Sequence, residues 1–321
     1  MTIWTNVDIE PALLTDFAAR IGSHELRRAG DANSSNLIAG SADVACRTAD
    51  IALGQPAVDD LMASKTLRWA HLTSAGYTRY DRDDLRHALS GRGAILTNSS
   101  AVYDDPCAQH VVAFMMAHNR QHLPALHDQL GERAWRYRAL RPMVRTLGGE
   151  QVLLVGFGAI ARRLVELLTP FGAIIRGVRR KVVGDEPVPT FAMADLPGLL
   201  SSADHVVNLL PSSPANAKLF KHSLFSCFRP GAAFYNVGRG ETVDQPSLIA
   251  ALQTGQVGGA YLDVTDPEPL PGSDPLWLAP NCVITPHIAG GMQNEAQQLV
   301  DHFIDNLRRF ERGEPLINRV I

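Results

Sequence analysis

Short apolar segments alternate with amphipathic segments along almost the whole chain. In the first third, residues 51–54, 67–72 and 94–97 have the length and apolar content of strands. Six more segments of this kind follow Gln151, at residues 152–155, 174–178, 205–209, 233–236, 260–263 and 283–285. Strands that alternate with helical segments are typical of βαβ units and a mostly parallel sheet. We therefore expect an α/β fold, and six strands joined by helices match a doubly wound dinucleotide-binding fold.

Helical periodicity fills the segments between these strands, at residues 160–168, 195–201, 223–228 and 247–253, and then one long amphipathic helix at 294–312. Asp104, Asp105 and Pro106 indicate a helix start, with acidic residues and a proline in the first turn. Residues 121–150 are rich in arginine and histidine and have weak periodicity. A compact domain seldom carries so long an irregular stretch. This segment is therefore either an arm that contacts a partner subunit or a surface excursion.

Composition narrows the class of protein. The 321 residues are enough for about two domains. A net charge of -3 gives no basic surface for nucleic acid or an anionic membrane. The four cysteines form no CxxC pair, and the N-terminus lacks the basic and apolar regions of a secretion signal. We therefore expect a cytoplasmic protein that binds neither nucleic acid nor membrane and holds no metal.

A glycine-rich segment, GFGAIA at residues 156–161, follows one predicted strand and opens a helix. The first glycine allows a tight turn, the second lets the backbone approach a pyrophosphate, and the small Ala161 lets helix and strand pack. The phosphates would bind the free N–H groups at the positive end of the helix dipole. A turn kept only for packing is the alternative. We predict dinucleotide contacts at Gly156, Phe157, Gly158, Ala159 and Ile160.

The next predicted strand ends in Arg179, Arg180 and Lys181. An acidic residue about 20 positions after the glycine motif would bind the adenosine ribose and repel a 2′-phosphate, and none stands there. An arginine can hold a phosphate through two N–H bonds. We therefore favour NADP(H), with Arg179 and Arg180 on its 2′-phosphate. NAD(H) is the alternative, in which these residues form a solvated basic loop.

Three polar residues follow predicted strands in the last third of the chain: Arg239, Glu268 and His287. Ligands of open α/β sheets bind outside the carboxyl ends of the strands, which is where these residues are delivered. Hydride addition to a ketone builds negative charge on its oxygen, and histidine suits proton delivery near neutral pH. A carboxylate fixes the tautomer of the imidazole, and an arginine can bind a substrate carboxylate and polarise the carbonyl. Each residue alone could be structural, as a turn arginine, a surface glutamate or a capping histidine.

Together these features resemble the D-isomer-specific 2-hydroxyacid dehydrogenase family, which includes glyoxylate/hydroxypyruvate reductases and phosphoglycerate dehydrogenases. The resemblance runs from about Leu67 to the C-terminus and is strongest in NVGRGETVD (236–244), LDVTDPEPLP (262–271) and ITPHIAG (284–290). It implies that Arg239 binds substrate and that Glu268 pairs with His287, the acid/base. NADP(H) would then exchange a hydride with a small 2-keto acid such as glyoxylate or hydroxypyruvate.

The resemblance also implies further contacts. After Ser74, the backbone N–H groups of Ala75 and Gly76 would hold the substrate carboxylate, next to Arg239 and His287. The additional cofactor contacts would be Asp263 on the nicotinamide carboxamide, Val102 near the nicotinamide, Leu210 and Pro211 along the adenosine, and Val237, Gly238, His287 and Gly290. The chain departs from the family pattern at Ala161, Gln109 and Thr78, and the last of these leaves the substrate side chain open.

The fold that the resemblance implies has two Rossmann-like domains. A dinucleotide-binding domain, residues 100–288, would be inserted in a flavodoxin-like substrate domain of residues 1–99 and 289–321, with the site in the cleft. Residues 121–150 would form the arm of a homodimer, with Trp135 buried there or reaching the neighbour's pocket. Two alternatives stay open. The first is another substrate, as in an NAD-dependent phosphoglycerate-type dehydrogenase or an enzyme of formate or phosphite, and the second is a dinucleotide-sensing co-regulator with little catalysis.

Overall fold

Two parallel β-sheets organise the chain, as seen in a computed structural model that describes residues 1–33, 38 and 40–321. Every pairing between strands in these residues is parallel, which confirms the predicted α/β class. The strands are β1 Thr2–Val7, β2 Glu25–Asn33, β3 Ile51–Gly54, β4 Trp69–Leu72, β5 Ile95–Thr97, β6 Gln151–Val155, β7 Ile174–Arg179, β8 Thr190–Ala192, β9 His205–Asn208, β10 Ala232–Asn236, β11 Val257–Leu262 and β12 Cys282–Ile284.

Helices connect these strands in sequence. They are α1 Pro11–Arg20, α2 Val44–Arg47, α3 Val58–Ala63, α4 Asp83–Ser90, α5 Ser100–Asn119, α6 His122–Leu130, α7 Tyr137–Leu140, α8 Ala159–Leu168, α9 Leu196–Leu200, α10 His222–Phe225, α11 Gln245–Gln253 and α12 Glu295–Arg312. None of the helices in the described ranges is both long enough and apolar enough to cross a bilayer.

The chain divides into two units, Met1–Tyr103 with Met292–Ile321 and Asp104–Gly291. The first unit contains a five-stranded sheet in the order β2-β1-β3-β4-β5, which is the flavodoxin-like order. The final helix, α12, packs on this sheet, and the Phe303 ring stacks on Trp69 with 5.0 Å between centroids. The assignment of this unit to substrate and of the other to cofactor stays a prediction.

The second unit contains a seven-stranded sheet in the order β12-β11-β10-β9-β6-β7-β8. The chain adds β7 and β8 on one side of β6 and β9 to β12 on the other, so the direction of strand addition changes between β6 and β9. Ligands of doubly wound sheets bind at this switch point. The strands at the centre are buried on both faces, with Val155, Val206 and Phe234 at zero exposure. This continuous burial explains why apolar runs predicted these strands to within a few residues.

Two sequence predictions need correction here. Helix α5 begins at Ser100 and not at Asp104, so Pro106 lies inside the helix. The Asn98 side chain accepts the N–H of Ser100 at 3.3 Å and starts the helix earlier. Residues 121–150 are also more regular than predicted, since they contain α6, α7 and a 3-10 turn at Arg141–Met143.

Candidate active site

The glycine-rich segment forms a tight turn between β6 and α8. Gly156 has φ +98, and a Cβ there would lie 3.0 Å from the backbone of Leu209, so only glycine fits. A Cβ at Gly158 would meet no described atom within 4 Å, which leaves open space at the start of the helix. The Phe157 side chain is buried against Gly177, so only its backbone is available to a ligand.

The N-terminus of α8 is open to an anion. Gly158 is its N-cap, and no side chain caps the first N–H groups of the helix. Those N–H groups and the helix dipole favour a negative charge, which is the requirement of a pyrophosphate. The small Ala161 is fully buried where α8 packs on the sheet. These features fit a dinucleotide at Gly156, Gly158, Ala159 and Ile160.

The basic loop after β7 contains a carboxylate that sequence reasoning did not place there. Arg179 Nη1 donates to Glu186 at 2.7 Å, and the same carboxylate accepts the backbone N–H groups of Val183 (3.1 Å) and Gly184 (2.8 Å). These N–H groups and the arginine lower the pKa of Glu186 to about 2. Glu186 is not an available ribose acceptor, because its side chain is only 2% exposed and both oxygens accept bonds. Arg180 is exposed and makes no ion pair with any residue that the structure describes.

Arg239, Glu268 and His287 follow three neighbouring strands. The strands β10, β11 and β12 lie side by side, with Asn236 paired to Leu262 and Leu262 paired to Ile284. Because parallel strands in register end at one edge, the three loops emerge together there. Glu268 and His287 are in direct contact, and Arg239 is close enough for its charge to act on Glu268.

Glu268 fixes the tautomer of His287. The imidazole Nδ1 lies 2.8 Å from Glu268 Oε2. A carboxylate only accepts, so Nδ1 carries a hydrogen and Nε2 is left for a reacting group. The other carboxylate oxygen accepts the N–H of Thr265 at 3.0 Å. Burial alone would raise the pKa of Glu268, but His287, the Thr265 N–H and the charge of Arg239 outweigh it and lower that pKa.

Buried amides fix the backbone of Arg239. Its carbonyl accepts hydrogen bonds from the Asn236 amide at 3.2 Å and the Thr242 hydroxyl at 2.6 Å. Asn208 donates to both of these side chains, at 3.0 and 2.6 Å. The supporting roles of Asn208 and Thr242 are not identified from sequence, although an asparagine that closes an apolar strand is a usable signal. The guanidinium of Arg239 donates to the Gly238 carbonyl at 2.6 Å.

Asp263 holds the turn that carries His287. Its carboxylate is 3% exposed and accepts the Thr285 hydroxyl (2.7 Å) and the backbone N–H groups of Ile288 and Ala289 (2.9 Å each). Its carbonyl accepts the N–H of His287 at 2.9 Å. His287 has φ 53, a left-handed conformation that a side chain rarely adopts. Among the described residues Oδ2 accepts one hydrogen bond only, so it can accept one more, such as a carboxamide N–H.

The other predicted cofactor residues of this unit line the same edge. Leu210 follows β9, and its N–H donates to Asn208 at 3.2 Å, while Pro211 is exposed. Val237 is buried after β10, and Gly290 ends the turn after His287. Within these described loops, as in the rest of the described chain, no three histidine, cysteine or acidic side chains are arranged to hold a metal ion.

The predicted substrate loop lies in the first unit, at residues 73–76. All four of its carbonyls accept hydrogen bonds, from the Tyr103 hydroxyl, the Ser99 N–H, the Asn98 amide and the Ser74 hydroxyl. The backbone N–H groups of Ser74, Ala75 and Gly76 have no acceptor among the described residues. Adjacent N–H groups without acceptors form a concave site for an anion. Val102, the remaining predicted contact, is 8% exposed in the first turn of α5.

Gln55 supports this loop and is not identified from sequence. Its amide nitrogen donates to the hydroxyls of Thr73 and Ser74, both at 3.1 Å. Its backbone N–H donates to Asn6 Oδ1 at 2.9 Å. Gln55 follows the apolar strand β3, so a polar residue at a strand end is again the only signal in the sequence.

Comparison with known proteins gives one consistent family. Residues 112–289 match the model of the D-isomer specific 2-hydroxyacid dehydrogenase NAD binding domain. A glyoxylate/hydroxypyruvate reductase B of Escherichia fergusonii is 31% identical over 262 residues, 78% of this chain and 77% of that protein. A human glyoxylate reductase/hydroxypyruvate reductase is 28% identical over 261 residues, 79% of this chain and 77% of that protein.

A solved structure extends the similarity to the whole chain. A D-isomer specific 2-hydroxyacid dehydrogenase from Xanthobacter autotrophicus, in complex with NADPH and MES, has a TM-score of 0.81 and 28% identity. The alignment covers 100% of this chain and 97% of the other. The two-sheet α/β architecture is therefore shared over the full length.

Proposed function

Because the chain belongs to the D-isomer-specific 2-hydroxyacid dehydrogenases, a family of NAD(P)-dependent oxidoreductases, we propose that it reduces glyoxylate, hydroxypyruvate or a similar small 2-keto acid. The product would be the D-2-hydroxy acid, and the preferred cofactor NADPH. The observation that carries this proposal is the 2.8 Å pair of Glu268 and His287, placed beside Arg239 at one sheet edge. Relatives with glyoxylate/hydroxypyruvate reductase names support the substrate class.

The proposed chemistry divides between three side chains. A bound nicotinamide would supply the hydride to the carbonyl carbon. Arg239 would bind the substrate carboxylate and stabilise the charge that grows on the carbonyl oxygen. His287 would give that oxygen the proton on Nε2, because Nδ1–H stays bound to Glu268. Glu268 would hold the imidazole orientation and stabilise its protonated form.

Substrate binding would also use the loop at residues 73–76. Its N–H groups at Ala75 and Gly76 lack acceptors within the described chain, which supports the proposal that they hold a carboxylate. Gln55 would keep this loop in place through Thr73 and Ser74.

For the cofactor, we propose that Arg180 with Arg179 binds the 2′-phosphate of NADPH. Arg179 already forms an ion pair with Glu186, whereas Arg180 is exposed after the end of β7. The NADPH bound by the Xanthobacter autotrophicus relative supports this preference.

A substitution at Arg180 tests the cofactor proposal. Arg180→Ala should raise the KM for NADPH about tenfold or more and change the KM for NADH little, because only NADPH has the phosphate. The matched control is Arg176→Ala within β7, the strand that precedes Arg180; the Arg176 guanidinium donates to Ser202 at 2.8 Å. Equal effects of Arg180→Ala on both cofactors would contradict the assignment.

We also propose a cytoplasmic homodimer. The four cysteines are all free thiols, as expected in a reducing compartment. Large apolar side chains are exposed on the arm at residues 121–150, with Leu130 at 76% and Trp135 at 93% exposure. Exposed apolar side chains grouped in this way mark a surface that another protein covers.

The direct test is oxidation of NADPH and NADH, followed by absorbance, with glyoxylate, hydroxypyruvate and larger 2-keto acids. Turnover that favours NADPH and a small acid supports the whole proposal. Faster turnover with NADH would remove the cofactor assignment and keep the reaction. Cofactor binding without turnover of any 2-keto acid would contradict the reductase and favour the co-regulator.

A further inference from the structure

The hydroxyl of Thr285 lies between two titratable side chains, His110 and Asp263, to which the proposed mechanism gives no shared role. Thr285 Oγ1 is 2.7 Å from Asp263 Oδ1 and 3.2 Å from His110 Nε2. A carboxylate only accepts, so the single hydrogen of the hydroxyl points to Asp263. The hydroxyl must then accept from His110, which fixes the hydrogen of that imidazole on Nε2.

The three side chains therefore form a series of hydrogen bonds in which His110 donates to Thr285 and Thr285 donates to Asp263. His110 is held in place by Phe114, with 5.0 Å between ring centroids in an edge-to-face contact. Phe114 in turn stacks on Tyr261 of β11 at 5.1 Å. Burial lowers the pKa of His110, against the opposing effect of Asp263, so the neutral imidazole with one N–H is favoured near neutral pH.

Asp263 connects this series of hydrogen bonds to the turn that carries His287. Through its carboxylate and carbonyl it accepts the N–H groups of His287, Ile288 and Ala289. These three bonds hold His287 in its left-handed conformation, which costs about 1 kcal/mol or more for a residue with a side chain. Within the described residues the Thr285 hydroxyl is the only side chain that hydrogen-bonds Asp263, with His110 Nε2 farther away at 3.9 Å, and together with the N–H groups of Ile288 and Ala289 it fixes the rotation of the carboxylate.

We propose that Thr285 is a positioning residue for His287, acting through Asp263, and that His110 orients the Thr285 hydroxyl. This inference rests on the proposed acid/base role of His287. Loss of the hydroxyl would remove one of the three hydrogen bonds that fix the Asp263 carboxylate, loosen the turn, and weaken the contact between His287 and Glu268. The pyrophosphate site at α8 follows β6, on the other side of the sheet centre, and would be unaffected.

The experiment compares two substitutions at one position. Thr285→Val removes the hydroxyl at nearly constant size, and Thr285→Ser keeps it. With NADPH and glyoxylate, Thr285→Val should lower kcat about tenfold, since a hydrogen bond to a charged group is lost. The Kd for NADPH, measured by fluorescence, should rise by a smaller factor than kcat falls, because the predicted phosphate contacts at α8 and the basic loop are retained. Thr285→Ser should restore kcat to within about threefold of the wild type.

Two outcomes would overturn the proposal. The first is a kcat for Thr285→Val near that of the wild type, and the second is equal losses for Val and Ser. If Thr285→Val does not fold, as judged by its melting temperature, His110→Phe and His110→Gln replace the pair. Gln can still donate to the hydroxyl and Phe cannot, so only His110→Phe should lower kcat.

A measurement without substrate separates this inference from the proposed function. The Nδ1–H proton of His287 gives an NMR resonance that is identified by its loss in His287→Gln. In the wild type and Thr285→Ser it should exchange slowly with water, because Glu268 accepts it. In Thr285→Val it should be broadened by exchange, and an unchanged resonance would contradict the positioning role even if the wild type proved inactive on every keto acid.

Discussion

At the scale of single residues, the backbone of His287 matters as much as its ring. A left-handed conformation is unfavourable for histidine, and the turn persists because Asp263 accepts N–H bonds from three consecutive residues. The imidazole is thereby presented with Nδ1 toward Glu268. Asp263 thus sets the position of the His287 ring, and Glu268 sets its tautomer.

Substitutions of His287 and of Glu268 should therefore have different effects on kcat. His287→Gln should lower kcat by about a hundredfold to ten-thousandfold, because the proton donor is lost. NADPH affinity should change little, since the predicted phosphate contacts lie at the start of α8 and in the basic loop, away from His287 in the strand order. Steady-state kinetics and a fluorescence titration of NADPH measure the two quantities.

Glu268→Gln is the companion variant, because Gln can still accept from Nδ1 but carries no charge. It should lower kcat less than His287→Gln does. If His287→Gln weakened NADPH binding by the same factor as kcat, the acid/base assignment would be wrong.

The placement of site residues was predictable from sequence where it follows from strand order. Arg239, Glu268 and His287 each follow a strand, and the structure brings these strands side by side and pairs Glu268 with His287. Glu186 was not predictable, because a bend at Gly184 returns it to Arg179 seven positions earlier. Hydrogen-bond partners such as Thr285 and Gln55 depend on tertiary distances that no sequence spacing contains.

At the scale of elements, the two glycines of the turn into α8 have different roles: Gly156 is needed for the fold, and Gly158 is proposed to leave space for the cofactor. Gly156 has positive φ and close backbone contacts, whereas Gly158 has neither. Gly156→Ala should therefore destabilise the fold by about 1 kcal/mol or more.

Gly158→Ala should leave the melting temperature nearly unchanged and weaken NADPH binding about tenfold or more, because its Cβ would occupy the space for a pyrophosphate. Thermal unfolding and cofactor titration of both variants check this contrast. A Gly158→Ala variant with normal NADPH affinity would show that the predicted phosphate position is wrong.

Prediction of elements is accurate for the inner strands of the second sheet and fails for three other strands. The inner strands β6, β9 and β10 have continuous apolar runs and were placed to within one residue of their observed ends. The sequence analysis misses the edge strands β2, with the sequence ELRRAGDAN, and β8, and it also misses β1, which pairs with both β2 and β3. An edge strand needs no apolar run, because one side of it has no neighbouring strand.

At the scale of the whole molecule, buried neutral histidines predict sensitivity to acid. Burial lowers the pKa of His118 to about 4, and the neighbouring His205 and Arg145 add smaller contributions in the same direction. The unfolded chain binds a proton near pH 6.5, so between that pH and about pH 4 the unfolded state holds more protons. Stability is therefore complete above this window and falls as the pH decreases through it.

Urea unfolding at several pH values from about 7 to about 5 measures this loss. His118→Gln should reduce the slope of unfolding free energy by about 1.4 kcal/mol per pH unit. The exposed His122→Gln is the control and should leave the slope unchanged. Identical slopes for the wild type and His118→Gln would show that His118 titrates normally.

The arm predicts the oligomeric state. Trp135→Ala together with Leu130→Glu should convert a dimer into a monomer, because two of the exposed apolar side chains of the arm are removed. Light scattering after gel filtration measures the mass. Leu278→Glu, at an equally exposed position outside the arm, should leave the mass unchanged. A wild-type chain that is monomeric would refute the arm as an interface.

The strand order has a consequence for protein engineering. The residues proposed to bind the 2′-phosphate, Arg179 and Arg180, lie at the end of β7, whereas Arg239, Glu268 and His287 follow β10, β11 and β12. In the sheet, β6 and β9 lie between β7 and β10. In the proposed function, coenzyme preference and reaction chemistry are thus carried by separate parts of the sheet. A designer, or natural selection, can exchange residues 179–186 to change the electron donor and retain the catalytic residues unaltered.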